Sequence, residues 1–108
     1  MNKEFIPYEQ SSELKELGFK ETTFKSYCKD DNLLYDITPI NDNFIGAPLY
    51  QQSFRWFREK HGIVFYLNMV GINLYYYVIG TEPFLSFNTY EEAELACLKK
   101  LIYLVKNK

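Results

Sequence analysis

Histidine, cysteine and glycine are all scarce in this sequence, and each shortage closes a class of chemistry. A single histidine, His61, and two cysteines, Cys28 and Cys97, are too few and too scattered to make a zinc ligand set. The cysteines form no Cys-x-x-Cys frame, so they fit a reducing cytoplasm better than a disulfide scaffold. Glycines stand singly at 18, 46, 62, 71 and 80, which leaves no glycine-rich loop to cradle a phosphate. The opening Met1–Phe5 has no apolar run behind it and does not read as a signal peptide. Charge is missing from one region altogether: from His61 to Thr81 there is no Asp, Glu, Lys or Arg. That stretch is not a membrane span, because 63–79 is barely long enough and Asn68, Gly71 and Asn73 interrupt it.

What is present is a globular core in one domain, 1–108. The chain has 108 residues, of which 47% are hydrophobic, enough for an ordinary core and too apolar for disorder. Aromatics are in surplus, with ten Tyr, nine Phe and one Trp. Tyrosine joins an apolar body to a polar tip, so an excess of it suits half-wet surfaces such as interfaces. The net charge of −2 gives no overall attraction to nucleic acid or an anionic membrane. Its distribution is mildly uneven, with five Lys against nine Asp or Glu in 1–46, and seven Lys or Arg against five Glu in 47–108.

The periodicity predicts an α+β fold in the order α-ββ-α-ββ-α, an antiparallel sheet covered by helices. A first helix runs from Tyr8 to Leu17, opened by Pro7 and closed by Gly18 as a left-handed end, with Phe19 folding back on Leu14. Residues 22–28 and 33–37 read as a hairpin turning at Asp30-Asp31-Asn32, and 38–46 reads as a loop. Pro48 opens a second helix and Gly62 closes it, with Tyr50, Phe54, Phe57 and His61 on its apolar stripe and Trp56 at the margin. A last helix spans Tyr90 to about Lys106, capped by Thr89 and Glu92, with Ala93, Cys97 and Leu101 on its inner face. The helix-plus-hairpin outline occurs twice, and Tyr8-Glu9-Gln10-Ser11 echoes Tyr50-Gln51-Gln52-Ser53, but four residues do not establish a duplication.

The uncharged stretch reads as a second hairpin, with a short further strand at 84–87. Pairing Met69 with Ile72 places Ile63, Phe65, Leu67, Met69, Ile72, Leu74, Tyr76 and Val78 on one face. Val64, Tyr66, Asn68, Asn73, Tyr75 and Tyr77 then share the other, and a four-residue loop over 69–72 keeps the same facing. The expected partner-binding set is accordingly Tyr66, Asn68, Asn73, Tyr75 and Tyr77. This face is aromatic and lacks the charges that guard exposed strands.

Catalytic candidates are weak. His61 at a helix end reads as a C-terminal cap. Ser11, Ser12 and Cys28 have no base in a recognised frame, and Cys97 lies on an inner helix face. Asp30-Asp31 sits in a polar turn that leaves both carboxyls near their ordinary pKa. No enzyme activity, metal or cofactor is expected. The alternative surface is basic: Arg55, Trp56, Arg58 and Lys60 on the second helix offer cations and a stacking ring to nucleic acid.

Three stretches carry a resemblance: Lys15-Glu16-Leu17-Gly18-Phe19, the run from Ala47 to Lys60, and Tyr90-Glu91-Glu92-Ala93-Glu94-Leu95-Ala96-Cys97-Leu98. Together they are similar to a group of short proteins encoded by phages and prophages of Bacteroides and related bacteria. The resemblance covers most of the chain and is weaker over 29–45 and 68–88. It implies a phage-related origin and expression in a bacterial cytoplasm, and it transfers no activity and no site residues. The resulting expectation is a small interaction module that binds a protein partner or a second copy of itself, with nucleic acid as the alternative partner and no membrane.

Overall fold

The computed structural model describes residues 4–69, 74–80 and 85–107. The element order is α1 (Tyr8–Glu16), β1 (Lys25–Cys28), β2 (Leu34–Tyr35), β3 (Phe44–Ala47), α2 (Tyr50–His61), β4 (Phe65–Met69), β5 (Tyr75–Ile79), β6 (Leu85–Phe87) and α3 (Tyr90–Lys106). This is the α+β class read from the sequence, with the expected further strand present at Leu85–Phe87, an unexpected third strand added to the first hairpin, and two three-stranded antiparallel sheets in place of one. Internal contacts divide the chain into two compact units, 1–53 and 54–108, the division falling inside α2. Among the described residues, no helix is long and apolar enough to cross a membrane.

In the first unit the strand order is β2-β1-β3, so β1 is central. All of β3 pairs with β1, from Lys25↔Ala47 to Cys28↔Phe44, where the sequence suggested a loop. Its Asn and Gly punctuation conceals the strand. Gly46 is there for packing: a Cβ at that position would lie 2.7 Å from Thr23 Oγ1. Residues 4–6 run beside the entry to α2, with the Ile6 N–H bonded to the Pro48 carbonyl at 2.9 Å and the Tyr50 N–H to the Glu4 carbonyl at 3.0 Å. The end of α1 is the expected left-handed turn. Gly18 has φ 103°, its N–H reaches the Lys15 carbonyl, and the Phe19 N–H reaches the Leu14 carbonyl at 3.0 Å. Ile6, Leu14, Phe19, Ile45 and Ala47 are buried in this core.

Side-chain hydrogen bonds stitch the same unit. Ser11 and Tyr27 hydroxyls both donate to the Ile6 carbonyl, at 3.1 and 2.9 Å. The Ser26 hydroxyl donates to the Ile37 carbonyl at 2.8 Å. Gln52, on α2, donates to the Thr22 carbonyl at 2.7 Å. No buried side-chain polar atom among the described residues lacks a partner, as low-dielectric packing requires.

The second unit is built on apolar area. Its strand order is β4-β5-β6, and α3 packs on β5 and β6. Phe54, Phe57, Phe65, Tyr77, Ile79 and Leu98 are buried, with Cys97 and Leu101 fully so. Rings meet edge to face at Phe54–Phe65 (5.3 Å) and Tyr75–Tyr90 (5.8 Å), geometry that aromatic quadrupoles favour. Thr89 caps α3 as expected, its Oγ1 accepting from the Glu92 N–H at 3.1 Å, and the Glu92 carboxylate turns back to accept from the Thr89 hydroxyl at 3.0 Å.

The register of the second hairpin differs from the expected one. Phe65 pairs with Ile79, Leu67 with Tyr77, Asn68 with Tyr76 and Met69 with Tyr75. The connection therefore covers 70–74, an odd number of residues more than a two-residue turn. An odd change reverses the facing of β5 relative to β4. Phe65, Leu67, Met69, Tyr75, Tyr77 and Ile79 now share the face under α3. Tyr76 and Val78, expected inside, lie on the opposite face with Tyr66 and Asn68.

Candidate functional site

The proposed partner-binding residues do not form one surface. Tyr66 and Asn68 face away from α3, whereas Tyr75 and Tyr77 face it, and Tyr77 is buried. Asn73 lies outside the described residues. The expected opposition of the two Asn side chains is replaced by Asn68↔Tyr76. A different set shares the outward face. Tyr66 pairs with Val78, and Asn68, Tyr76 and Ser86 align across the three strands. Val64 continues the row beside Gly80, whose N–H donates to the Val64 carbonyl at 2.8 Å.

This face has an unusual composition for exposed sheet. No strand of the sheet carries a charged residue. Val64 is 77% and Tyr66 49% exposed, while Tyr76 and Val78 are half-buried. Tyr66 and Tyr76 stand diagonally across the β4–β5 ladder with ring centroids 6.2 Å apart and planes at 81°, a contact that fixes both side chains relative to each other. β4 is also an edge strand. The Gly80–Val64 bond sets the alternation, so Tyr66 and Asn68 turn their backbone groups toward β5, and Phe65, Leu67 and Met69 turn theirs to the other edge. One of those edge donors is occupied, since the Met69 N–H bonds to Asn68 Oδ1 at 2.8 Å.

The basic surface on α2 loses its stacking element. Trp56 is 4% exposed, with its ring packed edge to face on Phe57 (5.1 Å) and His61 (4.8 Å). The indole falls inside because the apolar stripe of α2 is wider than a Tyr50-Phe54-Phe57-His61 line. Arg55, Arg58 and Lys60 are exposed, and Arg58 lays its guanidinium over the Phe65 ring at 4.5 Å. His61 thus closes an aromatic stack as well as a helix end, where Gly62 at φ 62° donates to the Arg58 carbonyl.

Titratable groups elsewhere are turned to structure. The Asp31 carboxylate accepts from the Tyr35 hydroxyl at 2.5 Å and the Leu33 N–H at 2.9 Å. These bonds hold it below the usual carboxylate range, which corrects the expectation of an ordinary value. A carboxylate so held is a poorer proton acceptor at neutral pH. Ser11 spends its proton on the Ile6 carbonyl. Burial pushes the Cys97 thiol up to about 12, with the nearby Arg58 opposing and Glu94 adding to the shift. Burial, then the neighbouring Glu91 charge, pushes Glu94 up to about 7. Cys28 is buried and accepts a long contact of 3.6 Å from Asn43. Among the described residues, no three His, Cys, Asp or Glu are grouped to hold a metal ion.

No protein-family model, curated protein or solved structure matches the chain.

Proposed function

We propose that this chain is a small non-enzymatic interaction module of phage or prophage origin, working in the bacterial cytoplasm. It binds a protein partner, or a second copy of itself, through the outward face of β4–β6. The observation that carries this reading is the uncharged surface formed by Val64, Tyr66, Asn68, Tyr76, Val78 and Ser86. Exposed strands normally hold a Lys, Glu or Pro against sticking, and an aromatic face without one is a liability unless a partner covers it. Tyr66 and Tyr76 supply aromatic contact area of the kind enriched at interfaces, and the face lacks the charged residues that are depleted at interface centres. The origin and location rest on the resemblance of the three stretches described above. The nucleic-acid alternative has less support, because the only indole is buried.

Light scattering after size exclusion, over a wide concentration range, tests the reading. The wild type should gain mass with concentration, and Val64→Lys combined with Tyr66→Lys should remain monomeric with an unchanged thermal midpoint. A wild type that stays monomeric and retains no protein from a host lysate contradicts it.

A further inference from the structure

The first unit contains a cavity that none of its packing explains. It measures about 320 Å³ and lies between α1, the segment 19–23 and β3. Small-molecule pockets begin at roughly 300 Å³, so the space suits a fragment-sized ligand. Its apolar surface comes from Phe19, Phe44 and Pro39. Lys15 and Lys20, both exposed, line it where it opens to solvent.

The walls are fixed in place before any ligand arrives. Phe19 is held by the left-handed end of α1. Thr23 is fully buried, donates its hydroxyl to the Lys25 carbonyl at 3.0 Å, and is packed against Gly46. The neighbouring Thr22 carbonyl is tied to Gln52. Preorganised walls spare a ligand the entropy of ordering them. The same bonds decide which polar groups remain for recognition. The hydroxyl protons of Ser11 and Thr23 are both spent on backbone carbonyls. Glu21 also lines the cavity, but its carboxylate accepts from Gln52 at 3.4 Å. The two exposed ammonium groups at the rim are left to meet a ligand's polar end.

We propose that this cavity is a binding site for a small monocarboxylate with an apolar body, its chain or ring against Phe19 and Phe44 and its carboxylate between Lys15 and Lys20. This site is independent of the sheet face proposed above, and either reading can fail alone. The test is an amide ¹H–¹⁵N titration of the full chain with sodium octanoate at low salt, with 1-octanol and acetate as controls. Octanoate should give saturable shifts at the amides of Phe19, Thr23, Phe44 and Gly46. Octanol should bind more weakly for want of the charge, and acetate should give no saturable shift for want of the apolar body. Lys15→Gln with Lys20→Gln changes only exposed side chains, leaves the spectrum folded, and should weaken octanoate by about ten-fold, near 1.4 kcal/mol. Shifts that do not saturate, that map away from the cavity, or that are the same in the double variant overturn the proposal.

Discussion

The two units solve the same problem with different means. Both place helical segments against a three-stranded antiparallel sheet, yet all the buried polar side chains among the described residues, Gln10, Ser11, Thr23, Ser26 and Ser53, belong to the first. Its strands are four, two and four residues long, too short to be held by ladder bonds alone. Hydroxyls and an amide therefore bind loop carbonyls directly. The second unit has two five-residue strands and a seventeen-residue helix, and its stability comes from aromatic and aliphatic area. The strand orders differ as well, with the first strand central in one sheet and the second in the other. The repeated outline in the sequence is thus a likeness of composition and not of topology.

The largest expected effect lies in the second unit. Phe57 is fully buried, so Phe57→Ala should cost about 3–5 kcal/mol in urea unfolding through lost transfer energy and a cavity. Cys97→Ser comes next. The thiol is fully buried, and a hydroxyl with no assured partner there should cost about 1–3 kcal/mol. Native Cys97 should also resist thiol reagents, since burial disfavours the thiolate. In the first unit, Ser26→Ala removes one stitch to the Ile37 carbonyl and should cost about 1 kcal/mol. A loss for Ser26→Ala as large as that for Phe57→Ala would erase the contrast between the units.

A smaller effect depends on pH. Glu94 has its folded-state pKa raised from 4.5 to about 7, so the folded chain keeps a proton that the unfolded chain has lost. Its favourable contribution is complete below about pH 4.5 and is lost as the pH rises to about 7. Thermal midpoints of wild type and Glu94→Gln should therefore agree in acid, and the variant should be the more stable above pH 7. Parallel pH profiles would show that Glu94 is better solvated than its half-buried position suggests.

Sequence reading succeeded where a local signal sufficed. Gly18, Gly62 and the Thr89–Glu92 pair each mark a helix end by conformations or bonds made within a few residues. It failed where the deciding contact is distant. Phe44–Ala47 is a strand because it pairs with Lys25–Cys28 and because Gly46 admits Thr23, neither of which shows in a run punctuated by Asn and Gly. The second hairpin was legible as a hairpin but not in register. Tyr75, Tyr76 and Tyr77 place a tyrosine on either face under any pairing, and an almost wholly apolar stretch offers a core face in both parities. What decides is the burial of Ile79 opposite Phe65 beneath the helices. The uncharged character of the outward face was legible, but its membership was not, and the cavity beside Lys15 and Lys20 left no trace in the sequence.

The outward face depends on that register, and two charged double variants test it side by side. Val64→Lys with Tyr66→Glu alters only the outward face, and Tyr75→Lys with Tyr77→Glu alters only the face under α3. Thermal unfolding followed by circular dichroism should show the first variant melting close to the wild type and the second unfolded or strongly destabilised. The reverse order, with the Tyr75/Tyr77 variant stable and the Val64/Tyr66 variant unfolded, would contradict the register and the outward face built on it.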